Sequence, residues 1–167
     1  FLKRQSLDYN KIESKRDEEI FNEKKNFMKK VYLKFVDMIK YLSSSLPNKT
    51  IVLRPHPADD IQAWKEKFKE FDNVFIEYKF SATPWIIASK CMIHSSCTTG
   101  IEGFFSGKPV FSYLPYRDHN FINCVSNSLS DICLERKQLL GKVIEVFQKD
   151  YKFNFDKDLK IKEIKPA

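Results

Sequence analysis

The chain has 167 residues, 43% of them hydrophobic and 31% charged, which is the composition of a folded domain and excludes an intrinsically disordered protein. A chain of this length buries roughly 70% of its unfolded surface, so one domain without a disulfide or metal staple is expected. Twenty-nine Lys and Arg against 22 Asp and Glu give a net charge of +7, spread thinly, which favours anionic ligands without choosing among them.

Only four glycines and seven prolines argue against a collagen-like or turn-dense all-β chain. Apolar runs such as Pro84-Trp85-Ile86-Ile87-Ala88 fall far short of the ~20 residues of a membrane span. No signal-peptide pattern is read, and the opening on Phe1 in mid-pattern leads us to expect a piece of a longer protein. Cys91, Cys97, Cys124 and Cys133 form no CxxC pair and sit in largely apolar surroundings. That usage fits free, buried thiols in a reducing cytosol.

From about Ile12 to Leu46 the pattern is helical, with Ile20, Phe27, Val31, Phe35, Met38 and Leu42 recurring at helical spacing among Lys and Glu. Residues 1–46 are therefore expected to form a charged amphipathic helical segment, and 43–48 to end it. Thr50–Leu53 reads as a short buried strand. Asp59 or Asp60 caps a predicted helix through Phe71, with Ile61, Trp64, Phe68 and Phe71 on one face. Asn73–Tyr78 is a second strand. Thr83-Pro84-Trp85 opens a short helix, with Pro at its favoured first position.

Cys91–His94 is a third strand and Thr99–Phe105 a helix; Gly107-Lys108-Pro109 then turns into a fourth strand, Val110–Tyr113. A further helix is expected over His119–Val125, a weak strand at Asp131–Leu134, and a closing helix from Glu135 to Lys149. Residues 151–167 read as a tail. Short apolar strands alternating with helices predict a doubly wound, Rossmann-like α/β domain over 47–150, with one parallel sheet covered on both faces. Ligands of such sheets sit outside the carboxyl ends of the strands.

Three loops therefore hold the candidate residues. After the first strand, Arg54-Pro55-His56-Pro57 is stiffened by two prolines, which aims the guanidinium and imidazole at a fixed point. Arg suits bidentate phosphate or carboxylate binding, and His can donate or carry charge near neutral pH. The plainer reading is a strand terminator whose His bonds a nearby carbonyl. After the third strand come Ser95, Ser96, Cys97, Thr98, Thr99, Gly100 and Glu102, a hydroxyl-rich junction suited to an anion. Thr99 and Glu102 also match a capping box, so Glu102 has a purely structural alternative. After the fourth strand, Tyr113 lies in a polar, aromatic loop suited to stacking on a base or sugar.

A serine hydrolase is disfavoured. No GxSxG elbow is present, and His94 and Ser95 point to opposite faces of a strand. His94, Cys97 and His119 lack metal-ligand spacing, and no acidic pair follows a strand, so no metal is expected.

Taken together, Arg54-Pro55-His56-Pro57, Pro84-Trp85, the run from His94 to Glu102, and Gly107-Lys108-Pro109-Val110 resemble a known family. They are similar to the carboxyl-terminal half of bacterial surface-carbohydrate biosynthesis proteins of the GT-B glycosyltransferase type. The Arg-Pro-His-Pro string is also similar to motifs of capsule Kdo transferases and of glycerophosphate polymerases. The resemblance covers about Ile51 to Pro115 and implies a Rossmann-like domain binding a CMP- or NDP-linked sugar as substrate, with no other cofactor. It implies that His56 and the Ser95–Thr99 turn engage the donor phosphate, with His56 acting on the leaving group, and that Glu102 bonds the ribose.

The implied partners are the nucleotide-sugar, a glycan or lipid-linked acceptor, and a missing amino-terminal domain. A cytoplasmic place follows, with room for peripheral contact at the inner face of the membrane, and no nucleic acid. Two rival readings stand beside this one. One is a nucleotide-sugar epimerase or glycerophosphotransferase-like enzyme. The other is a non-catalytic module that binds a glycan or a protein through the charged first helix.

Overall fold

A computed structural model describes residues 14–57, 59–118, 120–121 and 124–152. The chain divides into two compact units, residues 1–80 and 81–167. Both are α/β, and among the described residues every strand pair is parallel.

The first unit opens with the long helix α1 (Lys15–Ser45). Ser14 caps it, accepting from the Asp17 amide at 3.2 Å and donating to the Asp17 carboxylate at 2.7 Å. Asp17 and Glu18 in its first turn suit the positive helix end. Only its second half is sealed from water, through Val31, Val36, Met38, Ile39 and Leu42. Helix α2 (Ile61–Phe68) is capped by Asp60, whose Oδ1 accepts from Gln62 and Ala63 amides at 3.0 and 3.2 Å. Its apolar face, Trp64 and Phe68, is buried, and Trp64 meets Tyr32 of α1 edge to face at 5.0 Å.

Strands β1 (Ile51–Leu53) and β2 (Val74–Ile76) pair in parallel, Ile51 opposite Val74 and Leu53 opposite Ile76. The alternation of side chains buries Leu53 and Val74, while Val52 and Phe75 on the other face are 39% and 53% exposed.

Asn73 ties this unit together. Its Nδ2 donates to the carbonyls of Ser43, Leu46 and Lys49 at 3.2, 3.1 and 3.0 Å, and its Oδ1 accepts from the Ser43 hydroxyl. Its own carbonyl accepts from the Ile51 amide at 2.8 Å. The side chain of Asn73 thus holds the end of α1 and the turn after it, and its backbone carbonyl holds the start of β1.

In the second unit β3 (Met92–His94), β4 (Val110–Tyr113) and β5 (Asp131–Cys133) form a sheet in the order β3-β4-β5. The helices are α3 (Ala82–Ala88), α4 (Thr99–Phe105), α5 (Cys124–Ser128) and α6 (Arg136–Gln148). Central β4 is buried throughout, and Phe104, Val110 and Leu129 pack together with Ile101. Gly103 lets α4 lie close on the sheet, because a Cβ there would meet Met92 Sδ and Val110 Cγ2 at 2.9 Å. Leu139 and Val143 bury one face of α6. Beyond α6 the Tyr151 hydroxyl donates to Asp131, which also pairs with Lys142 Nζ at 3.3 Å. Burial and the Asp131 carboxylate both push the Tyr151 phenol well above its ordinary range.

Several predicted elements differ in extent. The described strands form two sheets, of two and three strands, where one was expected. β2 ends at Ile76 and not Tyr78, because the Glu77 carboxylate takes the Tyr78 and Lys79 amides at 2.7 and 2.8 Å and bends the chain. Pro84 is the third residue of α3, not its first, yet still in the turn whose amides need no helical partner. α2 ends at Phe68, although Phe71 still packs edge to face on it at 6.0 Å. Of the helix expected over His119–Val125, residues 119, 122 and 123 lie outside the described residues; the described helix is Cys124–Ser128, and before it Asp118 Oδ1 accepts from the Asn120 amide at 3.0 Å. His119, Ile12 and the expected tail from 153 onward lie outside the described residues.

Asn73→Ala removes four hydrogen bonds and leaves carbonyls unsatisfied, so a loss on the order of 2–4 kcal/mol is expected. Asn73→Asp should cost at least as much, since it aims a carboxylate at three carbonyls. Urea denaturation of the two variants against the parent chain checks both.

Candidate functional site

The turn between β3 and α4 stands on a buried imidazole. His94 is 3% exposed at the end of β3, where its Nδ1 accepts from the Cys97 amide at 3.1 Å. That places the ring proton on Nε2, which donates to Ser130 Oγ at 2.8 Å; Ser130 in turn donates to the Ser126 carbonyl at 2.6 Å. Burial drives the His94 pKa down to about 4, so the ring is neutral at physiological pH. A ring that donates to Ser130 cannot accept that hydroxyl's proton, which is not how a base sits beside a serine nucleophile.

Gly100 is part of the same packing. A Cβ at that position would lie 2.5 Å from His94 Nε2 and 2.8 Å from Cε1. Ser96 has a left-handed backbone, φ 56°, and its Oγ accepts from Asn127 Nδ2 at 3.0 Å. Asn127 Oδ1 accepts from Ser112 Oγ of β4 at 2.7 Å. Ser112, Ser126, Asn127 and Ser130 are all buried. A polar frame thus lies beneath the turn, and three of its bonds join segments 15 to 36 residues apart.

Above that frame Cys97 and Thr98 are exposed, and Ser95, Ser96 and Thr99 half-buried. The capping box expected of Thr99 and Glu102 does not form. Thr98 is the cap residue, has a helical backbone, and makes no side-chain capping bond. Glu102 Oε2 instead accepts from the Thr83 hydroxyl of α3 at 2.8 Å, so its carboxylate ties two helices. Tyr113 is 3% exposed within β4. Lys108 Nζ donates to the Ser89 carbonyl just past α3, at 3.0 Å.

The remaining candidates belong to the first unit. The Arg54 fork donates to the carbonyls of Lys79 and Phe80 at 3.0 and 2.8 Å, closing the loop in which Phe80 has φ 64°. The Lys79 and Tyr78 amides, followed by the charges of Lys79 and Arg54, hold the neighbouring Glu77 carboxyl below its usual range. His56 is exposed on the stiff loop, its amide donating to Asp59 Oδ2 at 3.2 Å and its carbonyl accepting from the Asp59 amide at 2.8 Å.

No family model matches this chain, nor does any curated protein or any solved structure. Among the described residues no group of three or more His, Cys, Asp or Glu is placed to hold a metal ion. Burial lifts the Cys91 and Cys133 thiols to about 11, so both stay protonated, whereas Cys97 is exposed. No described helix is long and apolar enough to cross a membrane.

Sequence reading placed no site role on Asn127, Ser112, Ser126, Ser130 or Thr83. One signal was available, a serine in the middle of the buried run Val110–Tyr113, since a polar side chain there needs a buried partner.

Two expectations follow from the His94 frame. Gly100→Ala must displace the ring from its two hydrogen-bond partners, so a loss of about 2–4 kcal/mol is expected in denaturant titration. The second concerns pH. The unfolded chain takes up a proton at this histidine near its ordinary pKa of 6.5, whereas the folded unit resists it down to about 4. Stability from this group is therefore present above about pH 6.5 and lost as the pH falls toward 4, by roughly 2–4 kcal/mol. Melting temperatures from pH 7.5 to 4.5 should fall more steeply for the parent chain than for His94→Gln.

Proposed function

We propose that this chain is the donor-nucleotide half of a GT-B-type glycosyltransferase acting in the synthesis of a surface polysaccharide. The observation that carries the reading is the Ser95–Thr99 turn. It lies at the carboxyl end of β3, beside β4 of a parallel sheet, which is where α/β sheets take their ligands. The Ser96 hydroxyl and the Cys97 amide of the turn are bonded to Asn127 and His94, so its backbone has less freedom to lose when a ligand is held.

In this reading the turn donates hydrogen bonds to the donor phosphate. Such donors, already in place, offset the charge that develops as the nucleotide leaves. Glu102, oriented by Thr83, accepts from the ribose hydroxyls. The Arg54 fork holds its own loop through two carbonyls and so keeps that loop in shape.

Calorimetric titration with CMP, CDP, UDP and GDP tests the reading: one of them should bind, and failure of all four would reject it. Glu102→Gln should weaken that nucleotide about tenfold to a hundredfold, because a charge-assisted bond contributes roughly 1.5–3 kcal/mol. The melting temperature should change little, since Gln retains an acceptor for Thr83. An unchanged dissociation constant would remove Glu102 from the site.

A further inference from the structure

Asn127 spans two elements with one amide group. It is 5% exposed on α5, accepts from Ser112 of β4 at 2.7 Å and donates to Ser96 of the turn at 3.0 Å. Ser112 is the register partner of His94 across β3 and β4, so both ends of the frame start from one level of the sheet. Ser96 has φ 56°, a conformation that disfavours residues bearing a Cβ. Something must hold it there. Immediately after it, the Cys97 amide is aimed inward at His94, which sets the direction in which the following residues leave toward α4.

We infer that Asn127 is a positioning residue for the turn after β3: through Ser96 it holds the left-handed kink that sets the path of the turn and the direction of its hydroxyls. The effect on a ligand rests on the nucleotide-binding reading above, whereas the effect on the turn does not. A general stabilising role predicts that Asn127 matters equally whatever residue stands at position 96. A positioning role through Ser96 predicts otherwise. Glycine adopts a positive φ without strain, so a chain with Gly at 96 needs the clamp far less.

The experiment is a double-mutant cycle on the full chain, with Asn127→Ala introduced beside Ser96 and beside Ser96→Gly. Two quantities are read: amide hydrogen exchange of residues 95–101 against the rest of the chain, and the dissociation constant for whichever of CMP, CDP, UDP and GDP binds. With Ser96 present, Asn127→Ala should speed exchange of the turn about tenfold, above any change elsewhere, and weaken the nucleotide to a similar degree. In the Ser96→Gly background both effects should shrink to threefold or less. Ser96→Ala, which removes the bond from the other side, should reproduce the exchange effect if Asn127→Ala does not fold.

Exchange that rises uniformly over the chain, or equal losses in both backgrounds, would overturn the inference. If the parent chain binds none of the four nucleotides, the glycosyltransferase reading falls, and the exchange arm still decides whether Asn127 positions the turn.

Discussion

The second unit depends on hiding one imidazole. His94 ends β3 in the interior, and a buried polar ring is tolerated only when its nitrogens are bonded. Those bonds need the Cys97 amide on one side and Ser130 on the other. They also need space at position 100, which only glycine leaves. The path of the turn from Ser95 to Thr99 follows from these requirements, and so does the closeness of α4 to the sheet.

The first unit solves a similar problem with a different side chain. Its strands are three residues long, too short for two of them to be stable unsupported. Asn73 supplies the support by collecting the carbonyls left over at the end of α1 and in the turn that follows. Arg54 does the same at the other end of β1, gathering the carbonyls of Lys79 and Phe80. In both units an amide, a guanidinium or an imidazole bridges segments distant in sequence, where a longer ladder would otherwise do so.

The two kinds of polar residue in the second unit have separate tasks. Ser112, Asn127 and Ser130 are buried and bonded to one another or to the backbone. Thr98 is exposed and makes no capping bond. In the proposed reading, a bonded base beneath a hydroxyl-rich turn suits a small anionic ligand, and the net positive charge of the chain acts in the same direction.

Periodicity and turn chemistry alone determined the α/β class, the alternation of elements and the centres of most helices and strands. Helical spacing in 20–42, apolar triplets such as Ile51–Leu53, and the Asp60 cap are local features whose physics lies within a few residues. Tertiary structure decided the rest. The division of the strands into two sheets depends on which edges pair, which no local pattern encodes. Thr99 and Glu102 satisfy the capping rule in sequence, yet Thr83, nineteen residues away, takes the carboxylate. Asn73, read only as the start of a strand, and Asn127 do not stand out in the sequence, because their partners lie 15 to 31 residues distant. A hydrogen bond between remote segments leaves no periodic trace, so only the folded chain reveals which polar residues hold it together.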